Sequence, residues 1–579
     1  MHKTVYSLRN YKKQLILGPI FKTLEVVFEL LIPFLMKNII DNGINEAKLN
    51  GNYNTILVDG GIILLFCVLG YFSTMMCQYL SSIASQGFGT DLRNRLFKKI
   101  NDLSLKEIND FGPGFVSNLF NNDANRLQLA VAMIIRLVIR APALVIGSLV
   151  CSLFISWQIA LIYLGIVVIV SLFLFIILKS TSHKFLKLQH QNDELSQIVD
   201  DGINGTRVIR SFNSQEIEVK KYEEKTDEYY KDAKKVSLLN ALINPTTYLV
   251  INIGILLTIY IGSLFINTKN ESSFSIGDIV ALVSYLSQIL TALVVVCNLV
   301  VIFNKAYASK KRVDGFFLTE SSVKNNAMYK NLKIEKNRTL FDFKDVDFSY
   351  ANNINVVSNL NLTIKKGESV GIIGGTGSGK STIVKLLDRF IDCTHGTISY
   401  KGVDLKLYDL DELHKEISLV NQKNQVFKGT IRSNLLVANN HATKEDLINA
   451  LKNAEAYSFV SKYDDFLDHP VEEGGHNLSG GQIQRLCIAR ALLRNSETII
   501  LDDSMSSLDF ITDKKVRQNL AKLTNLTKIY VSQRATTLKH CNKIIVVDKG
   551  KIECVGNHDY LLENSPIYKE IYESQVRNN

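Results

Sequence analysis

Residues 368–382 read ESVGIIGGTGSGKST, and this stretch decides the architecture of the C-terminal half. Residues 368–373 carry a strand pattern. They run into Gly374, Gly375, Thr376, Gly377, Ser378, Gly379, Lys380 and Ser381, which is G-x-x-x-x-G-K-[ST], and residues 382–390 from Thr382 onward read as a helix. Strand, glycine loop and helix in this order make a phosphate-binding loop. Glycines let backbone N–H groups close around a β-phosphate. Lys380 brings a point charge between β- and γ-phosphates, and Ser381 is placed to ligate Mg²⁺. The helix N-terminus behind the loop adds a favourable dipole. ATP and Mg²⁺ are the implied ligands.

Two further patterns lie downstream. Thr498-Ile499-Ile500-Leu501-Asp502 reads as a buried strand ending in an acid. Following a phosphate loop, Asp502 is the candidate for the Mg²⁺ shell. Between the two, Leu478-Ser479-Gly480-Gly481-Gln482 precedes a helical run at 483–492. Small residues ahead of a helix make an anion-binding terminus. The same residues also read as a plain N-cap with Ser479 as the cap. Short β-rich runs alternate with amphipathic helices throughout this half, an α/β pattern.

Upstream the character changes. Hydrophobic residues make up 46% of the 579 and charged ones 21%, too apolar for a disordered chain. Seven prolines exclude a Pro-rich scaffold, and eight scattered cysteines exclude a disulfide framework. Six apolar segments, roughly 15–44, 56–82, 127–156, 158–178, 238–266 and 279–306, suit membrane helices. The net charge of +10 does not point to nucleic acid, because of its distribution. The long loops 83–126 and 179–235 carry seventeen Lys and Arg, whereas the short loops 45–54 and 267–275 carry only Lys48 and Lys269. This asymmetry places the long loops, both termini and the α/β half in the cytoplasm, and no cleavable leader pattern precedes the first span. The domain reading is 1–312 membrane, 313–340 linker and 341–579 nucleotide-binding. Pro142 and Pro245 are expected to kink their spans. Glu25 and Glu29, and Arg136 and Arg140, are each four apart, on one face of the first and third spans at similar depth. They read either as an interhelical salt bridge or as the polar lining of a substrate path.

Six spans, a phosphate loop, LSGGQ and LDD in this order resemble an ATP-binding cassette (ABC) exporter half-transporter, of the multidrug or lipid type. The resemblance implies an all-α six-span membrane domain fused to an α/β P-loop NTPase domain. It implies that Tyr350 stacks on adenine and that Gln422 reaches Mg²⁺ beside Ser381 and Asp502. Residues 507–509 and 472–475 resemble the segments that face the second subunit and the coupling helices, and residues 110–118 and 210–213 resemble those coupling elements. Two such domains sandwich two ATP molecules, each between one loop and the other chain's LSGGQ, so a second half-transporter is required.

Two positions depart from the family's pattern. The usual general-base Glu after the magnesium aspartate is Asp503, and the usual γ-phosphate histidine is Gln533. A carboxylate one methylene shorter retreats by about 1.5 Å, and Gln carries no proton or charge near neutrality. With LSGGQ intact, the pattern resembles the degenerate half of a heterodimeric exporter whose partner carries Glu and His. A slow homodimeric lipid or peptide exporter is the alternative. An ATP-gated channel or regulatory subunit is a third class, which a long regulatory insert would favour; none is present. The implied cargo is hydrophobic or amphipathic, a small molecule or lipid, carried across the plasma membrane.

Overall fold

The computed structural model describes residues 5–267, 274–325, 339–350 and 355–576. It divides into two compact units, Met1–Ile100 with Gly112–Thr319, and Asn101–Phe111 with Glu320–Asn579.

The first unit is helical. Lys12–Asn38, Asn54–Asp102, Pro113–Ile155, Trp157–Asn204, Gln215–Ile266 and Ile276–Leu318 follow one another. Five of them hold a stretch long and apolar enough to cross a membrane. The first falls short on charge, because every 18-residue window within it contains Lys22, Glu25 and Glu29. Asn54–Asp102 has 49 residues, about 75 Å at ~1.5 Å per residue. That is more than twice a hydrocarbon core, so the helix runs on well past the membrane.

Both prolines mark breaks. The third helix loosens into a π-turn at Ile134–Val138, because Pro142 has no N–H to give the carbonyl four residues earlier. Pro245 follows the interruption at Leu242, at the start of Ile243–Asn267, where a missing N–H is harmless. Ile159, Tyr163 and Ile166 meet Ile251, Leu282, Leu286 and Ile289 in the core of this unit. Their spacing is that of one helical face. The Tyr163 hydroxyl lies 3.1 Å from Thr258 Oγ1, so its polar end is satisfied. The second helix is different, with Leu64, Val68, Phe72, Met75 and Tyr79 all exposed. Such a stripe faces lipid or another chain.

The last helix runs to Leu318, six residues beyond the expected boundary at 312. Val313, Phe316 and Phe317 are buried and hold this extra turn and a half. Within the expected linker, residues 326–338 lie outside the described residues.

Among the described residues the second unit holds twelve strands: β1 (Thr339–Ser349), β2 (Asn355–Lys365), β3 (Ser369–Ile373), β4 (His395–Tyr400), β5 (Val403–Asp404), β6 (Ile417–Val420), β7 (Gly429–Thr430), β8 (Pro470–Val471), β9 (Thr498–Asp502), β10 (Thr527–Val531), β11 (Lys543–Asp548) and β12 (Lys551–Gly556). The main sheet is ordered β12-β11-β3-β10-β9-β6 and is parallel except at the β12 edge. A second, antiparallel sheet is ordered β2-β1-β4-β5. Parallel strands are covered on both faces and so read as continuous apolar runs. Alternate residues divide accordingly. Ile372, Ile500, Ile529 and Ile545 enter one core, and Ile373, Leu501, Tyr530 and Val546 the other. Adjacent parallel β3, β10 and β9 therefore end side by side, which is what gathers the loops that follow them.

Candidate functional site

Three of these strand ends make the site. β3 delivers the glycine loop, β9 delivers Asp502 and Asp503, and β10 delivers Ser532 and Gln533. They surround a cleft of about 250 Å³ lined by Thr376, Gly377, Ser378, Gly379, Lys380, Ser381, Thr382, Gln422, Asp502, Asp503 and Gln533, with Val356, Val531 and Ser532 completing the wall. The sequence named all but the last three. Gly374 and Gly375 form the root of the loop. A side chain on Gly374 would place its Cβ 2.1 Å from Val547 O. Gly377 (φ 78°) and Gly379 (φ 104°) take backbone conformations open to glycine.

Lys380 Nζ donates to Gly374 O at 2.9 Å and to Gly375 O at 2.6 Å, bending over the loop. Burial pushes its pKa down, while Asp502 and Asp503 oppose that shift. The Asp502 carboxyl is pushed up to about 6, first by burial and then by neighbouring Asp503, with Lys380 and Lys385 opposing. Burial also raises Asp503, against Arg534 and Lys380. Two adjacent half-buried carboxyls in a cleft that Ser381 also lines suit a divalent cation, which would favour their charged forms. Ser381, Asp502 and Gln422, the residues expected to hold Mg²⁺, all line this cleft.

Asp503 is held rigidly. Its φ is 45°, a left-handed value that Asp tolerates. Its N–H donates to Val531 O at 2.8 Å, and its carbonyl accepts from Ser506 Oγ at 2.9 Å. Tyr350 stands just outside the cleft wall and is partly exposed. Its hydroxyl lies 3.4 Å from Thr382 Oγ1 and accepts from Lys385 Nζ at 3.2 Å. Phe348 meets its ring edge-on, and Lys385 Nζ lies over the ring at 5.3 Å from its centroid.

Residues 15–293 match the family described as ABC transporter transmembrane region, and residues 357–506 match the family described as ABC transporter. The chain is an ABC exporter half-transporter. It is 28% identical over 576 residues to the ABC transporter ATP-binding protein YfiB of Bacillus subtilis, spanning 99% of this chain and 98% of that one. It is 27% identical over 585 residues to an export ATP-binding/permease protein of Rickettsia conorii, spanning 100% and 99%. Its fold matches that of a bacterial Atm1-family ABC exporter with ATP bound, at TM-score 0.82 and 21% identity over 98% of both chains. The half-transporter therefore carries an ATP-binding domain for transport-coupled hydrolysis, works as a dimer and sits in a membrane with several passes.

The signature of the half-transporter is well formed, and none of its residues lines the chain's own cleft. Ser479 caps the helix Gly480–Leu493. Gln482 N donates to Ser479 Oγ at 3.3 Å, and Ser479 N donates to Gln482 Oε1 at 2.8 Å, a reciprocal capping box. Gly480 opens onto free space, and Leu478 is buried beneath. Gln484, missed in the sequence, is almost fully buried, and its Oε1 accepts from Ser507 N at 3.2 Å. This bond ties the signature helix to residues 507–509.

The membrane charges pair differently from the symmetrical expectation. Arg140 does meet Glu29, Nη2 to Oε2 at 3.1 Å, with Glu25 at 3.9 Å. Arg136 meets neither. It donates to Ser81 Oγ at 2.8 Å and Ser82 Oγ at 3.1 Å on the second helix. The reason is competition, since Lys22 holds Glu25 at 2.6 Å. Gln288 Nε2 on the last helix also donates to Glu29 O at 3.2 Å, so three helices meet at this cluster.

Proposed function

We propose that this chain is the degenerate half of a heterodimeric exporter. Its own loop binds ATP firmly and hydrolyses it slowly, while its intact signature completes a competent site on a partner chain. The observation that carries the reading is the pinned backbone of Asp503. The family's base reaches an attacking water with one more methylene. Here the main chain is tied at Asp503 N and Asp503 O, so it cannot advance to restore the missing ~1.5 Å. A displacement of ~1 Å costs about 10²-fold in rate. Gln533, on the same rim, can donate a hydrogen bond to a γ-phosphate but cannot bring charge to it.

Lys380 and the loop N–H groups hold the phosphates, and Tyr350 offers a ring to adenine. Mg²⁺, held by Ser381, Gln422 and Asp502, would neutralise phosphate charge. Binding closes this domain against its partner, so the closed state is selected by differential affinity. Residues 110–118 are the first coupling element, and the short helix Leu105–Phe111 that leads into them is grouped with the nucleotide-binding unit. The helix Thr206–Ser211 with residues 210–213 is the second. Val208 and Phe212 at its tip are exposed apolar side chains, as a docking tip for another subunit requires. The cargo is a hydrophobic or amphipathic small molecule or lipid, and Glu25, Glu29, Arg136 and Arg140 line part of its route. The membrane is the plasma membrane, with the nucleotide-binding unit and both termini on the cytoplasmic side.

The test is ATP turnover by the purified chain, alone and with a second half-transporter bearing Glu and His at the positions of Asp503 and Gln533. Slow turnover alone and fast turnover together is the expected result. Fast turnover by the chain alone supports the homodimer instead.

A further inference from the structure

Gln575 lies on the helix Pro566–Val576, 42 residues after Gln533 in the chain. Its side-chain amide nevertheless grips the switch from both sides. Nε2 donates to Gln533 O at 2.8 Å, and Oε1 accepts from Ala535 N at 2.9 Å. Ala535 begins the helix Ala535–Leu538, whose N-cap residue Arg534 makes no side-chain cap bond. A helix start leaves N–H groups without partners, and Gln575 satisfies one of them from elsewhere in the fold. An amide fits both ends of this clamp, since it donates from one atom and accepts at the other.

The arm that carries Gln575 is itself anchored. Tyr568 is fully buried, and its hydroxyl lies 2.8 Å from His558 Nδ1. Ser565 Oγ, just ahead of the helix, donates to Glu553 Oε2 at 2.6 Å. Tyr568 and Gln575 are two helical turns apart and share a face. The fixed end of the helix thus sets where the amide stands. The Gln533 side chain remains exposed at the cleft, so what Gln575 restrains is the backbone that aims it.

We propose that Gln575 is a positioning residue for the switch, making the C-terminal helix part of terminal-phosphate recognition. This rests on reading Gln533 as the γ-phosphate contact. The test is equilibrium binding of MgATP and of MgADP to the full-length chain in nanodiscs. It compares the wild type, Gln575→Ala, Gln533→Ala and the double variant. Gln575→Ala should weaken MgATP about five- to tenfold, the scale of one or two hydrogen bonds, and leave MgADP within about twofold. Gln533→Ala should give a similar loss, and the double variant no more, because both act through one contact. Gln575→Glu keeps the acceptor for Ala535 N but loses the donor, and should fall between. A wild-type MgATP/MgADP ratio in Gln575→Ala, beside a lowered ratio in Gln533→Ala, overturns the positioning role alone. An unchanged ratio in Gln533→Ala overturns the reading of Gln533, and the proposal with it. Equal weakening of both nucleotides by Gln575→Ala would mean a merely structural helix and also overturns it.

Discussion

The floor and the rim of one cleft follow different rules. On the floor, Gly374 to Ser381 work chiefly through backbone, with a lysine folded over the loop carbonyls. On the rim, Asp503 and Gln533 must act through the reach and charge of their side chains. The floor keeps every feature that phosphate binding needs. Where the family's pattern has a longer carboxylate and an ionisable ring, the rim has Asp503 and Gln533, and the Asp503 backbone is tied at both its N–H and its carbonyl. Binding depends on backbone geometry that glycines fix. Hydrolysis depends on placing one group to within about an ångström, so on the proposed reading it would fail first while the fold stays unchanged.

The sharpest way to break this contrast is at the floor. Lys380→Ala removes the charge and frees two loop carbonyls. Charge-assisted hydrogen bonds contribute ~1.5–3 kcal/mol each, so MgATP affinity at this chain's loop should fall by about 10²-fold or more. Equilibrium binding to the full-length chain checks it, and a loss below threefold would mean the floor is not the phosphate cradle. The next largest effect lies on the rim. Asp503→Glu with Gln533→His should raise steady-state ATP turnover of the chain alone by about 10- to 10²-fold, the inverse of the misplacement cost. Unchanged turnover would place the impairment elsewhere.

What the sequence revealed follows the same division. GGTGSGKST was legible because its function is written in backbone freedom, which glycine announces. Asp503 and Gln533 were legible only as departures from a family's pattern. Val356 and Ser532 were not, since their places come from β2 and β10, far apart in the chain. Arg389 was equally hidden. Following a helix, an arginine reads as a surface residue, yet this one is buried and donates to the carbonyls of Lys324, Lys406 and Tyr408. Spacing along the membrane helices gave depth but not azimuth, which is why Arg136 turned to Ser81 and Ser82 rather than to Glu25. The run of charge up to Arg312 disguised a helix that Val313 and Phe316 carry on to Leu318.

A smaller effect tests the surface that this chain lends. Ser479→Ala removes one half of the capping box at the signature helix. Loss of an N-cap costs ~1 kcal/mol, about fivefold in an equilibrium constant. Turnover at the partner's site should therefore drop by about fivefold, whereas MgATP affinity at this chain's own loop should not change. A fall in that affinity, with the partner's site untouched, would reverse the assignment of which chain completes which site.

The smallest expected effect discriminates most sharply. Asp503→Asn removes the rim carboxylate but keeps its shape and both backbone ties. If this carboxyl already stands too far back to take a proton from water, removing its charge takes away little. Turnover of the assembled transporter should stay within about twofold, while the same change at the partner's glutamate should abolish it. Asp503 is also raised by burial, and Asp502 is raised in part by Asp503's own charge. Neutralising Asp503 therefore relieves a repulsion beside the Mg²⁺ donor, and MgATP should bind this site no more weakly than before. Collapse of turnover in Asp503→Asn would instead mean that a short acid on a fixed backbone still reaches its water, and the floor and rim would then share one competence.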